Sequence, residues 1–153
     1  MENKNERIAK IEAFFDAYAK RFRDGIDGKA PDVEGTVGAF TGSFIESSPL
    51  GVIAKENDEK FKEMVPQGYA YYMSIGSSGM EIRSRVITLL DNLHSMAQIS
   101  WKADYIKKDG KGVSIEFDVF YMVTEKDGAP RIFAYITGDE QKALDDNGLV
   151  PYK

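Results

Sequence analysis

The chain has 153 residues, no cysteine and one histidine, with 20 basic and 25 acidic side chains giving a formal charge of −5. That composition excludes disulfides, thiolate metal sites and multi-histidine zinc or copper centres, and the interspersed charges form no basic stripe for nucleic acid. The expectation is one domain with no metal and no cofactor; the charged MENKNERIAK start and the lack of a ~20-residue apolar window point to a soluble, cytoplasmic protein without a membrane partner. Residues 3–24 carry Ile8, Ile11, Phe15, Tyr18 and Phe22 at alternating steps of three and four, which predicts an amphipathic helix. Asn3 and Glu6 have the spacing of a capping box, and Gly25 with Gly28 supplies a stop.

In PDVEGTVGAFTGSFIESSPLG, Val33, Val37, Phe40 and Phe44 keep helical spacing, but Gly35, Gly38 and Gly42 interrupt it. A short helix followed by irregular or extended chain is expected. Asn57 is the candidate cap of a further helix through Phe61, Met64 and Val65, kinked at Pro66 and continued by Tyr69, Tyr72 and Met73 until Gly76 and Gly79. From residue 80 the period becomes two. MEIRSRVITLL, SMAQISWKADYIKK, VSIEFDVFYMVTE and RIFAYIT read as four strands, with turns at residues 91–92, 109–110 and 127–128. Thr137 and Glu140 suggest the capping box of a short last helix over Ala143 and Leu144, stopped by Gly148. Helices first and long antiparallel strands after make an α+β layout.

The stretch SIEFDVFYMV carries Ile115, Phe117, Val119, Tyr121 and Val123 on one face, and Phe120 and Met122 with Glu116 and Asp118 on the other. The helices can cover one face. A partner subunit is the economical cover for the other, so a homodimer is expected.

FFDAYAKRFRDGID, a loop ending in ESSPLG, a kinked helix and a meander closing with RIFAYITGDEQKAL together resemble the nuclear transport factor 2-like superfamily. That superfamily includes ketosteroid isomerase, scytalone dehydratase and the SnoaL-like polyketide cyclases. The resemblance covers essentially the whole chain. It implies a cone-shaped, curved antiparallel sheet wrapped around N-terminal helices (cystatin-like), an apolar pocket at the open end and dimerisation through the outer sheet face. Within the isomerase branch it implies oxyanion-donor roles for Tyr18, seven residues before Gly25, and for Asp118, a carboxylic acid kept protonated by apolar surroundings. The base of that branch, an Asp before the proline of a D-P-x-G turn, is absent: the turn here reads Ser48-Pro49-Leu50-Gly51. Serine has no usable basicity, which argues against isomerase activity by that mechanism. His94 lies near a hairpin turn, where it does not assemble the apparatus of the dehydratase.

Glu116, one alternation from Asp118, and Glu46, two residues before Ser48, are the displaced base candidates. Strand parity suggests that Asp118 faces the pocket with Phe120 and Met122, where desolvation would raise its pKa. Phe15, Phe22, Phe40, Phe44, Tyr72, Trp101, Phe120, Phe133 and Tyr135 form the expected apolar wall. Each candidate also has a structural reading: Tyr18 as core, Asp118 bonded to a Tyr or Arg, Glu116 paired across a hairpin, Glu46 solvated on a loop. Arg83 and Arg85 are expected on the outer sheet face. The reading is a protein that binds a small, mostly hydrophobic molecule, with cofactor-independent isomerisation, cyclisation or dehydration as its enzymatic form. The alternative is a non-catalytic protein-association module using the exposed sheet face.

Overall fold

The first helix, α1 (Lys4–Ile26), starts at the expected capping box: Asn3 Oδ1 accepts the Glu6 N–H at 2.8 Å, and the Glu6 carboxylate accepts the Asn3 N–H. The computed structural model describes residues 2–151. The apolar stripe of α1 is buried at Ile11, Phe15 and Ala19, on a line that begins at Arg7 and ends at Ile26. Gly25 does not stop the helix. It lies inside the last turn, where a Cβ would come within 2.7 Å of the Tyr69 ring, so glycine is needed for close approach. The helix ends at Asp27, followed by Gly28 with φ of 84°.

The short α2 (Val33–Gly38) is followed by extended chain, as expected. This chain forms a hairpin of β1 (Phe40–Ser48) and β2 (Gly51–Glu56). The cap of α3 (Glu59–Ser74) is Asp58, whose Oδ1 accepts the Phe61 N–H at 3.0 Å; Pro66 lies within the helix. Asn57 instead donates to the carbonyls of Val37, Phe40 and Thr41, so it anchors α2 to β1. Four strands then follow: β3 (Ser77–Leu89), β4 (His94–Ile106), β5 (Gly112–Thr124) and β6 (Arg131–Ile136). α4 (Glu140–Asp146) is capped by Asp139 rather than by a Thr137 box.

The strands form one six-stranded sheet in the order β2-β1-β6-β5-β4-β3, with only the β1–β6 pair parallel. The sheet is curved and unclosed, and α1 packs into its concave face. Ile11 and Phe15 meet Ile99, Val119, Tyr121, Val123 and Ile132 there. Tyr121, Val119 and Val123 are therefore the inward residues of β5. Asp118, Glu116 and Phe120 face outward, the reverse of the sequence expectation. A strand alternates faces but does not say which one is covered, and α1 takes the face that carries no charge.

Two bulges adjust what points inward. A register shift at Arg83 turns Arg85 toward α1, where Nε donates to Glu12 at 3.0 Å and Nη1 bonds Asp16. Arg83 stays outside, near Glu81 and Glu116, so only one of the two arginines lies where the sequence placed it. A second shift, between Met122 and Val123 on β5 and opposite Phe133, brings both Ile132 and Tyr135 to the concave face. Phe133 is left on the convex side, its ring centroid 5.8 Å from that of His94.

At the closed end of the concave face, Arg7 and Glu125 form a buried ion pair. Arg7 Nε and Nη2 lie 2.8 and 2.7 Å from Glu125 Oε2, and Nη1 donates to the Asp91 carbonyl at 2.7 Å. This clamp ties the first turn of α1 to both hairpins beside it. Removing one member strands a buried charge, so Glu125→Ala should lower the free energy of unfolding in urea by about 3 kcal/mol. The double change Arg7→Met, Glu125→Leu should recover most of that loss, because no charge is then left uncompensated.

Candidate functional site

Beyond Phe15 the sheet curves away from α1, and a cavity of about 350 Å³ opens. Its floor is the concave face of β4 and β5, where Trp101 Nε1 donates to Tyr121 Oη at 3.1 Å. Tyr18 and Phe22 of α1 and Tyr72 of α3 form one wall, with the Phe22 and Tyr72 ring centroids 5.2 Å apart. Glu46 and Ser48 of β1 and Tyr135 of β6 form the other. Residues 137–141 lie across the mouth, facing the exposed Leu50 of the β1–β2 turn.

The polar groups follow from sheet register. Tyr121, Tyr135 and Glu46 lie in one row across β5, β6 and β1, so the Tyr135 hydroxyl reaches Glu46 and donates to Oε1 at 2.7 Å. Lys55, from β2, holds the other carboxylate oxygen at 3.4 Å. Tyr72 donates to Glu140 Oε2 at 2.7 Å, which links α3 to the start of α4. The Tyr18 hydroxyl has no hydrogen-bond partner among the described residues; its ring packs near Trp101 and Tyr121, and the Arg21 guanidinium lies 5.9 Å from its centroid.

Burial pushes Tyr18 up to about 12, with a smaller contribution from neighbouring Tyr69. Burial also raises Tyr121 and Tyr72, the latter helped by the Glu140 carboxylate, and Tyr135, helped by Glu46 and Glu140. The phenols of the cavity are thus neutral donors near pH 7.

The candidates from the sequence separate by strand parity. Tyr18 and Glu46 line the cavity, and so does Ser48, because Phe44, Glu46 and Ser48 share one face of β1. Asp118 and Glu116 do not. Asp118 is exposed on the convex face, where it accepts from Ser100 Oγ at 2.7 Å and Gln98 Nε2 at 3.4 Å, so the desolvation expected for it is absent. Of the predicted wall, Phe22, Tyr72, Trp101 and Tyr135 line the cavity. Phe15, Phe40 and Phe44 lie in the core beneath it, while Phe120 and Phe133 belong to the convex side. The sequence reading missed Tyr121, Phe117, Met80 and Glu140. Tyr121 was legible as a register partner of the Trp101 face, but Glu140 was read only as a helix cap.

A larger hollow of about 770 Å³ surrounds Arg7 and Lys10 at the opposite end. Among the described residues it has no aromatic lining, and its buried Arg7 and half-buried Lys10 both pair with Glu125. The aromatic cavity is the stronger site candidate.

A phenol whose pKa rises on folding gives stability that is complete below its unfolded value, 10.0 here, and lost as pH climbs through the folded value. With Tyr18 and Tyr105 both raised to about 12, stability should fall as the pH rises above 10, and tyrosinate absorbance should appear together with loss of tertiary circular dichroism. Gradual ionisation of every tyrosine near pH 10, with the fold intact, would contradict the buried geometry.

A family model described as NTF2-like protein (DUF6841) matches residues 5–140. No curated protein matches the chain by sequence. Among solved structures, a domain of unknown function with a cystatin-like fold from Nostoc punctiforme has a TM-score of 0.65 at 14% identity, over 97% of this chain and 89% of that one. An NTF-2 like protein of unknown function from Shewanella oneidensis has a TM-score of 0.63 at 13% identity, over 87% and 99%. A ketosteroid isomerase-like protein from Erwinia carotovora atroseptica has a TM-score of 0.59 at 16% identity, over 88% and 96%. These identities speak for the fold alone, while the family match spans most of the sequence. The helices, the curved sheet and that match agree: the chain belongs to the NTF2-like family.

Proposed function

We propose that this protein binds one small, mostly hydrophobic molecule in the aromatic cavity and that proton transfer is the chemistry the cavity is equipped for. The observation that carries this reading is the Tyr18 hydroxyl, a donor with no hydrogen-bond partner among the described residues, at the wall of an aromatic cavity of about 350 Å³. That volume lies at the lower end of the range for small-molecule sites. A ligand oxygen accepting from Tyr18 gives this donor the partner that the described residues do not supply.

If the ligand carries an enolisable carbonyl, Tyr18 stabilises the developing enolate oxygen and Glu46 is the base for the adjacent proton. Tyr135 and Lys55 hold the Glu46 carboxylate in place on the opposite wall. No cofactor enters this scheme, which covers isomerisation, cyclisation and dehydration.

The convex face supports association with a second copy. Val86, Gln98, Phe120, Ile136, Ser47 and Val52 form one transverse row across all six strands. Val86, Ile136 and Val52 are 56%, 51% and 71% exposed. The next row adds Met96, Met122, Ala134, Ile45 and Ala54, so the two rows are mostly apolar, interrupted by Gln98, Ser47 and Thr88. An isologous homodimer would cover them.

Trp101 is the only tryptophan and lines the cavity, so its emission reports occupancy. Titration with 2-adamantanone, a rigid ketone, should shift that emission saturably, and Tyr18→Phe should weaken binding roughly five- to tenfold. Unchanged affinity in Tyr18→Phe would remove the donor role, and no saturable shift would remove the binding reading. In sedimentation equilibrium at micromolar concentration the chain should weigh twice its 17.1 kDa, and Ile136→Lys should return it to monomer with ketone binding intact. A wild-type monomer would refute the dimer.

A further inference from the structure

The charged groups around the cavity are one-sided. Among the described residues its lining holds three carboxylates, Glu46, Asp139 and Glu140, and no lysine, arginine or histidine. Two of the three are already engaged. Glu46 has Lys55 at 3.4 Å, and Asp139 caps α4 through the Lys142 N–H, while the Lys142 ammonium pairs with Asp146 at 2.7 Å. Among the described residues Glu140 has only the Tyr72 phenol as a hydrogen-bond partner, and a phenol carries no positive charge. Arg21 lies behind the Tyr18 ring and is not part of the lining.

The second half of the observation is aromatic. Tyr18, Phe22, Tyr72, Trp101, Tyr121 and Tyr135 surround the space, and ring faces attract cations most strongly where water is excluded. Glu140 also adds to the raised pKa of two lining phenols, Tyr72 and Tyr135, after burial in each case and, for Tyr135, after Glu46. A field that opposes a phenolate also opposes a bound carboxylate or phosphate and favours a positive group.

We propose that the molecule taken up by this cavity is an organic cation: an ammonium carried on an apolar body. Its charged head lies between Glu140 and Glu46, against the rings of Tyr72 and Tyr135, and its body lies over Trp101 and Tyr121. This rests on the reading of the cavity as a ligand site and names the ligand class for it. Tyr18 then meets an oxygen on the body, and the mouth segment at residues 137–141 selects the charge. An acidic ligand meets repulsion at the same point.

Three probes share one rigid body and differ in charge: 1-adamantylammonium, 1-adamantanol and adamantane-1-carboxylate. Each is titrated at neutral pH against Trp101 emission. The ammonium should bind about tenfold more tightly than the alcohol, with the carboxylate weakest. Its advantage should shrink as salt is raised, whereas the affinity of the alcohol should not fall. Glu140→Gln, which keeps an oxygen for Tyr72, should bring the ammonium close to parity with the alcohol.

Alcohol binding as tight as ammonium binding would overturn the charge inference, as would an ammonium preference that survives Glu140→Gln combined with Glu46→Gln. If the alcohol and 2-adamantanone bind and the ammonium does not, the charge inference fails alone. If none of these molecules shifts Trp101, the ligand-site reading fails and takes the inference with it.

Discussion

One helix lying in a curved sheet sets the terms for the rest of the molecule. The N-terminal half of α1 fits the concave face fully: Ile11 and Phe15 are completely buried, and the Phe15 ring packs 4.9 Å from that of Tyr121. A straight rod cannot follow a curved surface over its whole length. Where the two part, Tyr18 and Phe22 are the next residues of the same stripe, and both border the cavity. The cavity is therefore the geometric remainder of packing the core, and the Arg7–Glu125 clamp ties the other end of the helix to the sheet. The buried ion pair lies at one end of the concave face and the aromatic cavity at the other.

That division explains the make-up of the cavity wall. Large aromatic residues can border space and still bury most of their area, and a tyrosine keeps a polar tip for the wet side. Two of the cavity phenols end on carboxylates, Tyr135 on Glu46 and Tyr72 on Glu140, and one of these bonds also latches α4 across the mouth. The anchor of α4 lies elsewhere: Leu144 and Leu149 pack with Ile75, Ala103 and Tyr105 in a second apolar cluster. The mouth segment is thus pinned from beneath while its carboxylates remain on the cavity side.

The two bulges show how little chain is needed to change what a face presents. One extra residue at Arg83 turns Arg85 from a surface charge into a bridge to α1, and one at Phe133 brings Tyr135 back to the concave side beside Glu46. Without the second bulge the alternation that buries Ile132 would point Tyr135 outward, and Glu46 would lose the partner that holds it.

Local pattern determined the elements. The 3.6-residue stripe of α1, the capping box at Asn3, the short helix before the first strand and the period of two after residue 80 all appear close to where the residues place them. The family resemblance rested on that order, and the order is conveyed by spacing alone. Which face of the meander is covered was decided only when α1 met the sheet. Alternation marks Glu116, Asp118 and Phe120 as one face and Val119 and Tyr121 as the other, but it contains no sign. The two acids on the first face held the signal, since a charged face is the costlier one to press against a helix. Bulges hid the rest, because a one-residue register shift changes which side chains point inward and leaves the apolar pattern of Arg83–Arg85 and Ile132–Tyr135 looking ordinary. The position of Glu140 at the cavity mouth depended on the docking of Leu144 and Leu149, a long-range contact that no local spacing encodes.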